Sequence, residues 1–221
     1  MDIYVKKDEK AVLPTTYVVE DPVPRKHIRL ATIGDYSAIL SIYAPYIIGT
    51  TITFEYDVPS EVEFSQRMAA IAATYPILVL ELDGEIIGYA YSAVFKPRSA
   101  YQWTAETVIY LRQNHAGKGL GRPLYEALIE VLKLQRICQA IGVVTSENHS
   151  SIAFHCRLGF VQSAKLEKVG YKFGKWLDVE WMQYQFAELS PNPEPIIPIS
   201  EIAKANEFSI LLTEINRKLN L

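Results

Sequence analysis

The stretch Trp103-Thr104-Ala105-Glu106-Thr107-Val108-Ile109-Tyr110-Leu111, followed at once by His115-Ala116-Gly117-Lys118-Gly119-Leu120-Gly121, decides the fold. Its first half is β-rich and largely apolar, and its second half places three glycines at alternate positions. Leu124, Tyr125, Leu128, Ile129, Leu132 and Ile137 then recur at helical spacing, so the order is strand, glycine loop, amphipathic helix. Glycine lacks a Cβ, which lets backbone N–H groups close on an anion where the helix N-terminus adds favourable potential. A phosphate-bearing ligand is one reading of the loop; a tight turn with no ligand is the other. A triphosphate-binding loop needs Ser or Thr after its Lys, yet Lys118 precedes Gly119. A dinucleotide fold puts its glycines after the first strand of a βαβ unit, whereas here several strands come earlier.

Upstream, residues 27–31 alternate as a first strand, and Asp35 opens a helix over 36–48. Residues 52–55 read as a short extended piece. Ser60-Glu61-Val62-Glu63 has the form of a capping box and starts a second helix, ending near residue 73. Asp83-Gly84 joins strands over 77–82 and 85–95 as a hairpin, and the strand over 103–111 pairs with it. Downstream, the pattern predicts a strand over 139–145, a helix over 150–158 stopped by Gly159, and closing strands over 160–168 and 177–186. Four prolines fall within residues 191–198, and Ile202, Phe208, Leu211, Leu212, Ile215 and Leu219 then form one face of a last helix. The class is α+β, with a mixed, mostly antiparallel sheet of about seven strands and helices on both faces.

The composition narrows the function classes. The 221 residues carry 22 Lys+Arg against 25 Asp+Glu, a net charge of −3, and 49% are hydrophobic. Disorder, collagen and coiled coil do not fit, and a general electrostatic grip on nucleic acid is not expected. Cys138 and Cys156, with His149 and His155 nearby, are too few soft ligands for zinc, so no metal is expected. Two unpaired cysteines suit a reducing cytoplasm. The longest apolar stretch, residues 76–95, carries Glu81, Asp83 and Glu85, so no membrane span is expected, and the N-terminus is too acidic for a signal peptide.

Beyond these readings, Ile109-Tyr110-Leu111, the 115–121 loop, Glu147-Asn148-His149-Ser150-Ser151 and Leu158-Gly159-Phe160 resemble, in order and spacing, the acetyl-CoA motifs of the GNAT N-acetyltransferases. Tyr101-Gln102-Trp103-Thr104-Ala105-Glu106, Phe95-Lys96-Pro97-Arg98 and Phe154-His155 are similar to the phosphinothricin and methionine sulfoximine acetyltransferase branch. The resemblance covers about residues 27–201. It divides the chain into an arm (1–26), an acetyltransferase domain (27–189) and a Pro-rich tail with a helix (190–221). It implies acetyl-CoA as co-substrate, a small amino acid or analogue as acceptor, and a homodimer.

The resemblance also implies roles. Glu106 falls on the family's general base, and a carboxylate partly removed from water is suited to take a proton from an amine whose solution pKa is near 10. His155 is the second catalytic candidate, able to protonate the leaving thiolate or assist the base. Val108, Ile109, Tyr110 and Leu111 would hold the pantetheine, residues Ala116, Gly117, Lys118, Gly119, Leu120 and Gly121 the pyrophosphate, and Asn148 and Ser151 the pantetheine arm, unless these two only cap a helix. Lys96 and Arg98 would meet the acceptor's carboxylate or phosphinate, with Phe54, Tyr91 and Tyr101 as pocket walls. Two positions depart from the pattern: Ala116 stands where Gln or Arg is usual, and Leu177 replaces a histidine. An acetyltransferase for a polyamine, aminoglycoside or peptide N-terminus, or an acyl-CoA sensing domain without turnover, are the rival readings.

Overall fold

The computed structural model describes residues 25–221, so most of the arm read over 1–26 lies outside the described residues. Seven strands form one sheet: β1 Lys26–Leu30, β2 Ile77–Leu82, β3 Glu85–Val94, β4 Thr104–Leu111, β5 Gln139–Thr145, β6 Val161–Lys172 and β7 Lys175–Gln185. Their spatial order is β1-β2-β3-β4-β5-β7-β6, and every neighbouring pair is antiparallel except β4 with β5. The helices are α1 Tyr36–Gly49, α2 Glu61–Ala72, α3 Gly121–Leu134, α4 His149–Arg157, α5 Ile199–Ile202 and α6 Asn206–Leu219. Alternation along β2 divides its side chains between two cores. Leu78 and Leu80 pack with α3 and α6, while Ile77 and Val79 pack with α1 and α2.

Local chemistry starts and stops these elements where the residues demand it. Asp83 and Gly84 take positive φ (52° and 85°), as a two-residue hairpin turn requires. Ser60 and Glu63 cap each other's backbone at the head of α2. Arg29 grips Asp35 through Nη1 at 2.7 Å and Nη2 at 2.9 Å, and Asp35 accepts the Thr32 N–H, fixing the entry to α1. That pairing holds the Asp35 carboxyl down at about 2.

The short extended piece read over 52–55 joins no sheet; Thr53 instead has its hydroxyl on Tyr43 (2.6 Å) and its carbonyl on Lys172 (2.8 Å). Two other segments differ from the sequence reading. β6 continues to Lys172, and a register shift between Leu166 and Gly170, with Lys168 at φ 51°, absorbs the broken alternation that ended the predicted strand at 168. The last helix is split, with one turn at α5 and the long α6 after it. Asn216 on α6 and Asn220 just past its end each bond both the N–H and the C=O of an alternate residue of β1, Ile28 and Lys26, at 2.7–2.9 Å. Two carboxamides thus stand in for a strand along β1's outer edge.

Candidate active site

β4 and β5 pair only over Thr104 to Glu106 opposite Gln139 to Ile141, and then part. Parallel strands that separate leave unpaired backbone and a wedge of space, and a cavity of about 280 Å³ opens at that fork. One wall is Thr107, Val108, Ile109 and Tyr110 from β4, and the other is Gly142, Val143, Val144 and Thr145 from β5. Glu106 sits at the fork. Ile52, Phe54, Tyr91, Tyr43, Thr53, Asn148, Ser151, His155 and Val179 complete the lining.

Burial raises the Glu106 carboxyl above the usual glutamate range, and Lys96 partly opposes the rise. That is the direction a carboxylate needs to accept an amine proton near neutral pH. His155 is 4% exposed, and burial pushes its imidazole below the usual range against a smaller opposing pull from the Ser151 carbonyl. Its Nδ1 lies 2.8 Å from the Ser151 carbonyl oxygen, an acceptor only, so Nδ1 carries the hydrogen and Nε2 the lone pair. Nε2 faces the Tyr125 hydroxyl at 3.4 Å, and that hydroxyl meets Thr107 Oγ1 at 2.6 Å. A polar chain therefore runs from His155 back to β4 at the fork. Gly142 makes room for the ring, since a Cβ there would lie 2.7 Å from Nε2.

A second groove of about 530 Å³ continues from the first, sharing Ile52, Ile109, Tyr110, Asn148 and Ser151 with it. Leu111, Ala116, Gly117, Gly119, Gly121, Arg122, Phe154 and Arg157 line its outer end. Gly117 and Gly119 have φ of 75° and 79°, a region other residues rarely enter, and α3 begins with no side-chain cap on its first turn. The loop and the uncapped helix end together make an anion cradle. Arg122 and Arg157 bring guanidinium groups to a loop whose own side chain at Ala116 is a methyl.

The sequence candidates are not all drawn together. Glu106, His155, Phe54, Tyr91, Val108, Ile109, Tyr110, Asn148 and Ser151 share the fork. Asn148 also caps α4, its side chain accepting from the Ser151 N–H. Lys118 is exposed, and Leu120 turns into the core beside α3. Lys96, Arg98 and Tyr101 are exposed on the segment after β3, outside the cavity lining. Lys96 spreads over the rings of Phe95 and Trp181 at 5.2 Å each, and Tyr101 packs edge-on against Phe95. Since Ala93 of β3 pairs with Glu106, that segment begins beside the fork.

The acetyltransferase (GNAT) domain family matches residues 28–181. The chain belongs to the GNAT acetyltransferases. It is 34% identical to the phosphinothricin N-acetyltransferase of Streptomyces viridochromogenes, over 79% of this chain and 95% of that protein. It is 38% identical to the L-methionine sulfoximine/L-methionine sulfone acetyltransferase of Pseudomonas paraeruginosa, over 71% of this chain and 92% of that one. Among solved structures, the phosphinothricin acetyltransferase of Sinorhizobium meliloti in complex with acetyl-CoA is 32% identical with a TM-score of 0.72, covering 77% of this chain and 96% of that chain. An acetyltransferase from Salmonella typhimurium with acetyl-CoA is 32% identical, TM-score 0.72, covering 76% and 98%.

Several residues of this GNAT cleft were not singled out from the sequence. Tyr43 and Thr53 come from α1 and the segment after it, and their types are common in any core. Gly142 and Arg122 did leave a signal. A glycine inside a strand marks a close approach, here by His155, and an arginine in a helix's first turn opposes the helix dipole unless an anion is to be met there.

Proposed function

We propose that this chain moves acetyl from acetyl-CoA to the α-amine of a small amino acid or analogue, such as phosphinothricin or methionine sulfoximine, by direct attack in a ternary complex. The observation that carries the reading is the fork itself: Glu106, with its raised carboxyl pKa, stands where β4 and β5 part, and the cavity there runs into the glycine-loop groove. Residues 117–121 and the head of α3, with Arg122 and Arg157, would hold the coenzyme's phosphates. The β4 backbone beyond Glu106, freed from pairing with β5, offers N–H groups to the pantetheine and to the thioester carbonyl, where they stabilise developing negative charge.

Glu106 takes the ammonium proton, directly or through one water, and the free amine then attacks. His155, neutral with its lone pair at Nε2, assists the base by first accepting, through the Thr107 and Tyr125 hydroxyls, the proton the amine loses as it forms the amide, and then returns that proton along the same hydroxyls to the leaving thiolate. Among the described residues no lysine or arginine lines the 280 Å³ cavity, so an acceptor's carboxylate or phosphinate would point out toward Lys96 and Arg98. The chemistry is proposed to take place in the cytoplasm, in a homodimer. β6, an outer strand of the sheet, leaves Val161, Val169, Phe173 and Trp176 exposed on or next to it as a surface for association, and light scattering of the purified chain tests this.

The test of function is thiol release from acetyl-CoA with phosphinothricin, methionine sulfoximine, methionine sulfone, the common amino acids, a polyamine and an aminoglycoside. The proposal expects turnover on the first group. Turnover on the polyamine or aminoglycoside alone moves the acceptor class, and tight acetyl-CoA binding with no turnover on any amine favours a sensing domain.

A further inference from the structure

The last three residues of β6 hold the segment that walls the acceptor cavity. A glycine at 170 lets the Phe54 ring lie where a Cβ would stand, the closest ring atom being 2.1 Å from that position. The Tyr171 carbonyl accepts a hydrogen bond from the Tyr56 hydroxyl. Lys172 reaches in between, 1% exposed, and its Nζ donates to the carbonyls of Ile47 and Thr53 at 2.8 Å each. Lysine is almost never found at such burial without a partner ion, and among the described residues Lys172 makes no ion pair.

What it meets explains its place. Ile47 belongs to the last turn of α1, whose carbonyls have no partner within the helix and whose dipole favours a cation. Thr53 belongs to the strandless stretch after α1, with no ladder to take up its carbonyl. The ammonium also lies 5.0 Å from the centre of the Phe173 ring. One charged group thus joins the end of α1, the cavity wall and the end of β6. Ile52, Thr53 and Phe54 line the acceptor cavity, and only Ile52 also lines the glycine-loop groove.

We propose that Lys172 is a positioning residue for the acceptor, fixing the wall of residues 52–54 through the carbonyls of Ile47 and Thr53. The proposal rests on the reading of the fork as an acetyl-transfer site. Lys172 itself lines neither cavity, and of the wall it holds only Ile52 reaches the glycine-loop groove, so its removal bears on the acceptor side more than on the coenzyme side.

The experiment uses the full chain carrying Lys172→Met, beside Tyr56→Phe, which loosens the same wall from an exposed position. Acetyl-CoA affinity is measured by calorimetry, steady-state constants with the best acceptor of the panel, and amide hydrogen exchange over residues 47–56. Lys172→Met is expected to raise the acceptor KM about tenfold, with acetyl-CoA affinity within about twofold of the parent. Exchange in 47–56 should quicken while the 115–121 loop stays unchanged. An acceptor KM that does not move, or one that rises together with a loss of acetyl-CoA affinity, overturns the proposal. If Lys172→Met does not fold, Tyr56→Phe decides: a rise in acceptor KM alone supports the proposal, and no change overturns it. Absence of turnover on any amine refutes the acetyl-transfer reading and leaves the exchange comparison to decide the wall.

Discussion

Replacing Gly142 by alanine tests the geometry of the fork with a single methyl. The added Cβ would stand 2.7 Å from His155 Nε2 and 3.0 Å from its Cδ2, about 0.7 Å short of the 3.4 Å at which ordinary contact begins. The ring has little room to retreat. Its Nδ1 is tied to the Ser151 carbonyl at 2.8 Å, and the rings of Tyr125, Phe154 and Phe160 stand edge-on around it, 5.0–5.6 Å between centres. A shift of that size lengthens the 3.4 Å approach of Nε2 to the Tyr125 hydroxyl beyond hydrogen-bonding range. Overpacking of this kind destabilises by about 1–3 kcal/mol, which for a domain of this size is a fall in Tm of roughly 3–10 °C. Differential scanning calorimetry reads the stability, and steady-state kinetics should show a lower kcat with the acetyl-CoA KM little changed. A variant with parental Tm and parental kcat would refute the claim that His155 is held against β5 and serves the reaction from there.

Other outcomes follow from the same structure. Glu106→Gln should lower kcat/KM by about 10² to 10⁴, the usual contribution of a positioned base. In the parent the active form is the carboxylate, so the rate falls as pH drops through a pKa raised by burial, and that acidic limb should vanish from the variant's pH profile. Arg157→Gln and Arg122→Gln should each raise the acetyl-CoA KM several-fold, with the difference shrinking in high salt, and Ala116→Gln should tighten acetyl-CoA binding. A dissociation constant unmoved by Ala116→Gln would show that the backbone cradle and the two arginines already suffice. Asp35→Asn should lower stability at pH 7 by about 1–2 kcal/mol, read by urea unfolding. Because Arg29 depresses this carboxyl to about 2, its stabilisation is present above the ordinary carboxylate range and is lost as pH falls toward 2, so parent and variant should converge there.

Local signals carried much of the architecture. The turn at Asp83-Gly84, the capping box at Ser60 and the glycine run before Leu124 each announce an element within a few residues, and each element stands where its signal puts it. The irregular end of β6 was hidden because a bulge breaks the two-residue alternation while the strand goes on. Candidate site residues on β4 and α4 were nameable from the sequence because motif and chemistry coincide in short stretches. Tyr43, Thr53, Tyr125 and Lys172 were not, since each matters only through a partner far along the chain: Lys172 lies 125 residues from Ile47, and Tyr125 lies 30 from His155. The exposed positions of Lys96, Arg98 and Tyr101 depend on how the segment after β3 turns away from the cavity, which no spacing encodes.

The central claim is that the parting of β4 and β5 sets an acetyl thioester beside Glu106. Determining the crystal structure of the chain with acetyl-CoA bound measures this directly. The account predicts the phosphates over residues 117–121, the pantetheine along Val108 to Leu111, and the thioester carbonyl at the fork within reach of an amine bonded to Glu106. Coenzyme bound elsewhere, for instance between α3 and α6 where Ile215 and Leu219 line a further cavity, or a thioester far from Glu106, would contradict it.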